Sequence, residues 1–147
     1  MNPATVTGAR DSRVADCSLL DLTTRAHPDV AVVFGTNCPF AIRRVYYLFD
    51  VPAGAVRGGH AHRILHQLVI AACGRFDVTL DDGRDQRVLT LDASNRALHL
   101  VPGIWRELSN FSAGSICLVM ASAPFEEADY LRQYEEFLAF KARPPRR

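Results

Sequence analysis

The sequence predicts an all-β protein in which many short antiparallel strands close into a sandwich or a barrel, with one helix near the C-terminus. Short runs of β-branched and aromatic residues recur about every ten positions, and a turn signal separates each pair of runs. The chain has 147 residues, of which 48% are hydrophobic and 22% are charged, as in an ordinary globular domain. We therefore treat residues 1–147 as one domain.

Three strands are expected in the first third of the chain. Residues 1–13 are polar and are expected to be flexible, and residues 17–22 predict the first strand. Residues 29–34 predict a second strand, because a cluster of turn-forming residues ends this apolar run. Residues 42–51 predict a third strand, which Pro52 stops.

Alternation along the third strand separates two sets of side chains, because residues two apart on a strand point to the same face. The two sets are Arg44, Tyr46 and Leu48 on one face, and Val45, Tyr47 and Phe49 on the other. One tyrosine is therefore expected to face a cavity, and the other is expected to face the core or a partner.

The rest of the chain predicts a series of strands followed by the helix. After a strand that carries two histidines, strands are expected at residues 68–72, 76–80, 88–91, 98–101, 104–108 and 116–121. Asp82 and Gly83 predict a hairpin with a type I′ turn, which needs positive φ at both central positions. Apolar positions in residues 126–140 follow the helical period, which predicts a helix that covers one flank of the barrel.

The strand that carries His60 and His62 holds the most informative pattern. Gly54 is followed after five residues by His60 and then by His62, Gln67 and Gly74. Because residues two apart share a face, both imidazoles are expected to project into one cavity. This spacing resembles the first motif of the cupin superfamily, a resemblance that implies a jelly-roll barrel, the double-stranded β-helix.

Two departures from metal-binding cupins bear on cofactors. Gln67 stands where those proteins carry Glu, and Arg106 stands where their second motif, Pro-x-Gly-x-x-His-x-x-x-Asn, has His. A neutral amide is a weak ligand, and a guanidinium that stays protonated repels a cation. We therefore expect neither a metal ion nor another cofactor, and no metal-dependent oxygenase chemistry.

The remaining groups of the predicted cavity suit proton transfer. Imidazoles are the usual general acids and bases near neutral pH, and an arginine can hold a phosphate or a developing oxyanion. The set predicts proton abstraction next to a carbonyl, with the enolate oxygen held by an arginine or a tyrosine. The alternative is that His60 and His62 are structural, as we expect for His27, His66 and His99, which have no partner at an informative spacing.

Six segments taken together resemble the dTDP-sugar 3,4-ketoisomerases: residues 44–52, 57–62, 74–83, 102–105, 110–112 and 129–138. The resemblance implies a metal-independent cupin, a homodimer with exchanged strands, and a dTDP-linked 4-keto-6-deoxy sugar as substrate. It implies that the ketone moves from C4 to C3 through an enediol, on the way to 3-amino-3,6-dideoxy sugars of surface polysaccharides such as the O-antigen of lipopolysaccharide, or of antibiotics.

The same resemblance implies roles for individual side chains. His60 is expected to be the base at C3, His62 to assist proton delivery at C4, and Tyr46 to hydrogen-bond the sugar oxygens. Four residues are expected to bind substrate: Arg44, Arg57, Gln67 and Arg106. Among these, Arg57 is expected near the pyrophosphate or the enediolate, and Arg106 at the sugar end of the cavity.

Departures from this family pattern bear on the product and on the N-terminal region. Members often carry His at the position of Arg106, and this position could decide from which face C4 is protonated; we favour a gluco-configured 3-keto product. Residues 24–34 lack an expected Arg-Gly pair, so no substrate contact is assigned there. The alternatives are a dTDP-sugar 3,5-epimerase and a non-catalytic sugar-binding cupin.

Charge and cysteine usage bear on partners and location. With 17 basic and 16 acidic residues the net charge is +1, which predicts no binding to nucleic acid or to a membrane surface. The four cysteines are widely spaced without a Cys-x-x-Cys pair, and residues 1–13 contain no apolar signal segment. These features predict reduced thiols in a cytoplasmic protein.

Overall fold

The computed structural model describes residues 8–24, 27, 29–33 and 37–142. Ten strands and one α-helix are formed by these residues. The elements are β1 Ser18–Asp21, β2 Arg44–Phe49, β3 Arg57–His62, β4 Gln67–Cys73, β5 Phe76–Asp81, β6 Gln86–Leu91, β7 Arg96–Leu100, β8 Trp105–Ser109, β9 Ile116–Ala121, β10 Tyr130–Leu131 and α1 Tyr134–Ala142. Nowhere in these ranges is a helix long and apolar enough to cross a membrane.

The strands form two antiparallel sheets of five strands each, in the orders β1-β7-β4-β9-β2 and β10-β3-β8-β5-β6. The main apolar core contains buried side chains of both sheets, such as Val69 and Val119 from the first and Phe76, Val78 and Leu80 from the second. The core therefore lies between the sheets, and the predicted all-β jelly roll with a short C-terminal helix is confirmed.

Most predicted strands are confirmed within a few residues, and the prediction for residues 29–34 is wrong in its described part. Within residues 29–33, Ala31 makes an isolated bridge to Thr23, and Phe34 lies outside the described residues. Val33 packs instead against Leu68 and Ile70, on the side of the first sheet that faces away from the main core. Its apolar side chain is needed to cover that face, so the apolar run does not indicate a strand.

Part of the N-terminal segment, whose residues 1–13 are predicted to be flexible, contacts the rest of the chain. Residues 1–7 lie outside the described residues, but Ala9–Asp11 form a 3-10 turn and Ser12 is buried. The Lys141 ammonium, on α1, donates hydrogen bonds to the carbonyls of Ala9 (3.2 Å), Ser12 (2.6 Å) and Gly103 (2.9 Å). A half-buried ammonium needs such acceptors, and the N-terminal segment supplies two of them.

The C-terminal helix begins later than the predicted residue 126. Glu127–Asp129 form a 3-10 turn, and β10 pairs Tyr130 with His62 and Leu131 with Ala61 before α1 begins at Tyr134. Pairing with β3 needs extended backbone, and this tertiary contact overrides the local helical period. The helix does cover a flank of the barrel, where Phe137 is fully buried against Ala61 and Leu131.

The predicted hairpin at Asp82 and Gly83 is present, but its loop is longer than a two-residue type I′ turn. The strands end at Asp81 and resume at Gln86, and of the two predicted turn residues Gly83 alone has positive φ, at 90°. The buried Asp82 carboxylate instead accepts hydrogen bonds from the backbone N–H groups of Val14, Arg84 and Asp85, and the longer loop provides two of these donors.

We predict that Gly103→Ala lowers the free energy of unfolding by about 3 kcal/mol or more, because the residue has φ of 81° and an added Cβ would overlap the Ala9 carbonyl. The matched control is Gly114→Ala, where φ is 71° and no heavy atom lies within 4 Å. That variant should lose about 1 kcal/mol from backbone strain alone. Urea unfolding measures the free energy of unfolding of both variants. Equal losses in the two variants would contradict the close contact between Gly103 and Ala9.

Candidate active site

A cavity of about 170 Å³ opens between the two sheets. Its polar lining is made of Tyr46, Arg57, His60, Gln67 and Arg106, and its apolar lining includes Leu48, Val69, Leu100, Leu108 and Val119. Five of the seven predicted site residues therefore meet at one place. Of the two tyrosines of β2, Tyr46 lines the cavity, whereas Tyr47 lies on the opposite face of the strand and is 59% exposed.

A larger depression of about 580 Å³ lies between the N-terminal segment and α1. It is lined by charged groups that already have protein partners, among them Lys141 on three backbone carbonyls and Asp82 next to Arg13. These contacts hold the N-terminal segment in place, so we assign this depression to packing and the smaller cavity to function.

The two histidines of β3 are in contact, as their spacing predicts. Between Arg57 and His60 the register of β3 against β8 shifts, and His60 lies opposite Arg106. The Nε2 atoms of His60 and His62 lie 3.1 Å apart. His60 lines the cavity, whereas His62 is fully buried and is not part of the lining. The prediction that both imidazoles project into the cavity is therefore wrong for His62, which lies behind His60 in contact with it.

Asp129 completes this group, and the residue-level analysis of the sequence did not identify it. Its Oδ2 lies 2.9 Å from His62 Nδ1, and its Oδ1 accepts the backbone N–H of Ile64 at 2.7 Å. Asp129 and His62 are 67 positions apart, so no local spacing relates them. The available signal was that Asp129 begins one of the segments that resemble the ketoisomerases.

A second polar chain runs along the cavity from Arg106 through Gln67 to Tyr46. The Arg106 guanidinium donates to Gln67 Oε1 and, at 3.3 Å, to the carbonyl of Ile104. Gln67 Nε2 in turn donates to the Tyr46 hydroxyl at 3.0 Å. Arg106 is 3% exposed, and among the described residues no carboxylate lies within 4.0 Å of it. A buried cation without a counterion favours the approach of an anion.

Burial and positive charge keep the two imidazoles neutral. Burial, with Arg106 and then Arg132 as further causes, lowers the pKa of His60 to about 3. Burial and Arg106 also lower the pKa of His62 strongly. A neutral imidazole has a free lone pair on one nitrogen, so the cavity holds a group able to accept a proton at neutral pH.

Of the predicted arginines, Arg57 belongs to the cavity lining, whereas Arg44 does not. Arg57 is exposed at the lining and donates to the carbonyl of Val56 at 3.1 Å. Arg44 is absent from the lining, and its guanidinium stacks over the rings of Tyr46 and Phe125 at 5.2 and 5.8 Å. Its buried Nε has no hydrogen-bond partner. Arg44 therefore contacts Tyr46 through the face of the ring, without lining the cavity itself.

His66 and His99, both predicted to be structural, contact each other outside the cavity lining. His66 Nδ1 and His99 Nε2 lie 3.0 Å apart, and both rings contact Phe40. Neither residue lines the cavity. The two histidines meet because β4 pairs with β7, where Leu68 lies opposite His99, so no local spacing in the sequence relates them.

Comparison with known proteins places this geometry in a family. The protein-family model described as "FdtA: WxcM-like, C-terminal" matches residues 16–142. The TDP-4-oxo-6-deoxy-α-D-glucose-3,4-oxoisomerase of Aneurinibacillus thermoaerophilus is 40% identical over 114 residues, which are 78% of this chain and 82% of that protein. The chain belongs to the FdtA family. Its predicted resemblance to the dTDP-sugar 3,4-ketoisomerases is thereby confirmed.

Solved structures of FdtA-like ketoisomerases share the fold. QdtA, a sugar 3,4-ketoisomerase from Thermoanaerobacterium thermosaccharolyticum in complex with TDP, has a TM-score of 0.81 at 28% identity and covers 86% of this chain and 95% of its own. WlaRB, a TDP-quinovose 3,4-ketoisomerase from Campylobacter jejuni, has a TM-score of 0.77 at 36% identity. The match covers 86% of this chain and 99% of WlaRB. The FdtA-family barrel is therefore present over nearly its whole length.

We predict that His60 makes the free energy of unfolding depend on pH. Its pKa is about 3 in the folded protein against 6.5 for an ordinary histidine, so the unfolded chain binds a proton first as the pH falls. The contribution of the neutral His60 to the free energy of unfolding is fully present above pH 6.5 and is lost progressively as the pH falls towards 3. Between pH 7 and pH 5, His60 should account for a loss of about 1–2 kcal/mol.

Urea unfolding of the wild type and of His60→Asn at both pH values tests this dependence. The variant should lose less stability on acidification by about that amount. The exposed His27 supplies the control substitution His27→Asn, which should behave as the wild type does. A His60→Asn variant with the same pH dependence as the wild type would contradict the burial described for this imidazole.

Proposed function

We propose that this protein isomerises dTDP-4-keto-6-deoxyglucose to the dTDP-linked 3-keto-6-deoxy sugar by proton transfer, without help from a metal ion. The observation that carries the proposal is a neutral imidazole, His60, in one cavity with the buried guanidinium of Arg106, which has no carboxylate partner among the described residues. The base and the cation suit a reaction in which negative charge develops on a sugar oxygen.

The proposed reaction begins at C3, whose hydrogen is acidified by the C4 ketone. His60 takes the C3 proton, the C–H electron pair forms the C3–C4 double bond, and the C4 oxygen carries the enediolate charge. The O3 proton is then released, the O3 electron pair forms the new C3 carbonyl, the C3–C4 double-bond pair takes a proton at C4, and O4 is protonated. The C3 hydrogen is thus replaced by one at C4 and the O3 proton by one at O4, so that atoms and charge balance.

The other side chains support these steps. Arg106 stabilises the enediolate oxygen, and Tyr46 hydrogen-bonds the sugar oxygens with its ring supported by Arg44. Gln67 contacts both Arg106 and Tyr46, which orients the two groups towards one ligand. Arg57, exposed at the lining, holds the pyrophosphate. His62 contacts His60 and assists proton delivery by exchanging a proton with it.

The proposal includes the gluco configuration at C4. Arg106 keeps its proton at any working pH, so it stabilises charge but does not deliver a proton to the ring. In a gluco-configured sugar the C3 and C4 hydrogens lie on opposite ring faces, so the C4 proton reaches the face away from His60. A product with both hydrogens on one face would mean that His60 alone carries the proton from C3 to C4.

We predict that proton NMR of dTDP-4-keto-6-deoxyglucose with the protein in deuterium oxide reveals a 3-keto isomer with deuterium at C4. Reduction of the product then makes the C4 configuration readable from the ring couplings. His60→Asn should lower turnover by about 10³-fold or more because the base is lost. The matched control His66→Asn, at a histidine outside the cavity, should keep wild-type turnover.

Other outcomes of this experiment separate the alternatives. Exchange at C3 and C5 without migration of the ketone would make the protein a 3,5-epimerase. Broadened substrate lines with no chemical change would make it a sugar-binding cupin. An active His60→Asn variant would contradict the assignment of the base while leaving the overall reaction standing.

The assembly proposed for this reaction is a homodimer with exchanged strands. Three apolar side chains on the outer face of the edge strand β2, Val45, Tyr47 and Phe49, are 57–62% exposed. At the other edge of the same sheet, β1 is joined to β2 by a long connection, residues 22–43. An exposed apolar face and a strand on a long connection are features that favour pairing with a second copy.

We predict that the protein elutes with twice its chain mass of 16.3 kDa, as measured by light scattering. Phe49→Lys should shift the population towards the monomer, because a charge replaces part of the apolar β2 face. The matched control Val88→Lys changes an equally exposed apolar residue on β6 and should leave the dimer intact. A wild-type monomer would rule out the proposed assembly.

The proposed product also indicates a place for the enzyme in metabolism. A ketone at C3 is the group that an aminotransferase converts to an amine, so the proposal extends to biosynthesis of 3-amino-3,6-dideoxy sugars. The cytoplasmic location remains a prediction, supported by the four cysteines, all of which are free.

A further inference from the structure

We infer that Asp129 is a positioning residue that sets the tautomers of His62 and His60 and so makes Nδ1 of His60 the nitrogen that takes the substrate proton. The inference rests on the proposed function, because it deepens the role of the same base. It starts from a chain of three side chains, Asp129, His62 and His60, that runs from the interior to the cavity.

The carboxylate of Asp129 is fixed at both oxygens. Oδ1 accepts the backbone N–H of Ile64 at 2.7 Å, and Oδ2 lies 2.9 Å from His62 Nδ1. Asp129 is 7% exposed and His62 is fully buried. Because an ionised carboxylate can only accept hydrogen bonds, His62 must carry its proton on Nδ1.

This tautomer determines the next link of the chain. With its proton on Nδ1, neutral His62 has a lone pair on Nε2, which accepts the Nε2–H of His60 across 3.1 Å. Neutral His60 then has its lone pair on Nδ1. Among the described residues no protein group hydrogen-bonds to that nitrogen, so it remains available to a ligand in the cavity.

The packing around the chain keeps both rings in this arrangement. The Tyr130 ring lies 4.9 Å from the His60 ring and 4.4 Å from the His62 ring, and the two imidazoles meet edge to face at an interplanar angle of 89°. Tyr130 is the neighbour of Asp129 in sequence and pairs with His62 in the β10–β3 ladder. One short segment therefore supplies both the carboxylate and the ring that hold the histidines.

The chain also explains how His60 can release the proton it has taken. When Nδ1 of His60 gains the C3 proton, its Nε2 proton can pass to Nε2 of His62, and the positive charge moves next to the Asp129 carboxylate. The Asp129 carboxylate, 2.9 Å from Nδ1, stabilises this imidazolium. No oxidant or co-reactant is needed for this transfer between the two imidazoles.

The test is Asp129→Asn, which keeps the size of the side chain and an oxygen for the Ile64 N–H. Its NH₂ group would face His62 Nδ1, so His62 would keep its proton on Nε2 and His60 would carry its own on Nδ1. We expect kcat to fall by about 10²–10⁴-fold with little change in KM, as when a base is held in the wrong tautomer. The matched control is Asp77→Asn, at a half-buried carboxylate outside the cavity, which should keep wild-type kcat.

The readout that separates positioning from a merely structural role is ¹⁵N NMR of the imidazoles in the substrate-free protein. In the wild type we expect the proton of His60 on Nε2, and in Asp129→Asn on Nδ1. Unchanged tautomers, or an unchanged kcat, would overturn the inference. If Asp129→Asn does not fold, the wild-type spectrum still tests the inference, because a wild-type His60 that carries its proton on Nδ1 would overturn the inference. The tautomers are measured without substrate, so this readout does not depend on the activity. Absence of isomerisation by the wild type would therefore contradict the proposed function and not the tautomer assignment.

Discussion

The buried guanidinium of Arg106 is the constraint on which the rest of the site depends. A cation that is 3% exposed must be satisfied by hydrogen bonds, and here neutral oxygens of Gln67 and Ile104 accept them. Neutral acceptors leave the positive charge uncompensated. Burial is the main cause of the lowered pKa of both neighbouring imidazoles, and the Arg106 charge lowers the pKa of each further. The same charge favours the approach of an anion to the cavity. In the proposed reaction this one buried charge therefore acts on both the base and the developing oxyanion.

The C-terminal segment belongs to the site as much as to the fold. Tyr130 and Leu131 extend the second sheet at β3, and this pairing brings the Asp129 carboxylate next to His62. The same segment then leads into α1, whose Phe137 is buried and whose Lys141 holds the N-terminal segment. A change that loosens this segment is therefore expected to affect both stability and proton transfer.

Local patterns predicted the parts of the fold that depend on side-chain alternation. The alternating burial of β2 and the hairpin between β5 and β6 follow from neighbours two to five residues apart. Residues 29–33 and the start of α1 were predicted wrongly for a common reason. In both cases an apolar or helical pattern is compatible with two conformations, and contacts with distant strands select between them.

The sequence alone determined the all-β class, the shared face of His60 and His62, the presence of Gln67 and Arg106 where metal-binding cupins carry ligands, and the family. These features are readable because they depend on residue type and short spacing. Only the tertiary structure decided that Asp129 contacts His62, 67 positions away, that His66 pairs with His99, 33 positions away, and that Arg44 lies outside the cavity lining. Such contacts are created by strand register and sheet packing, which bring together residues that no local period relates.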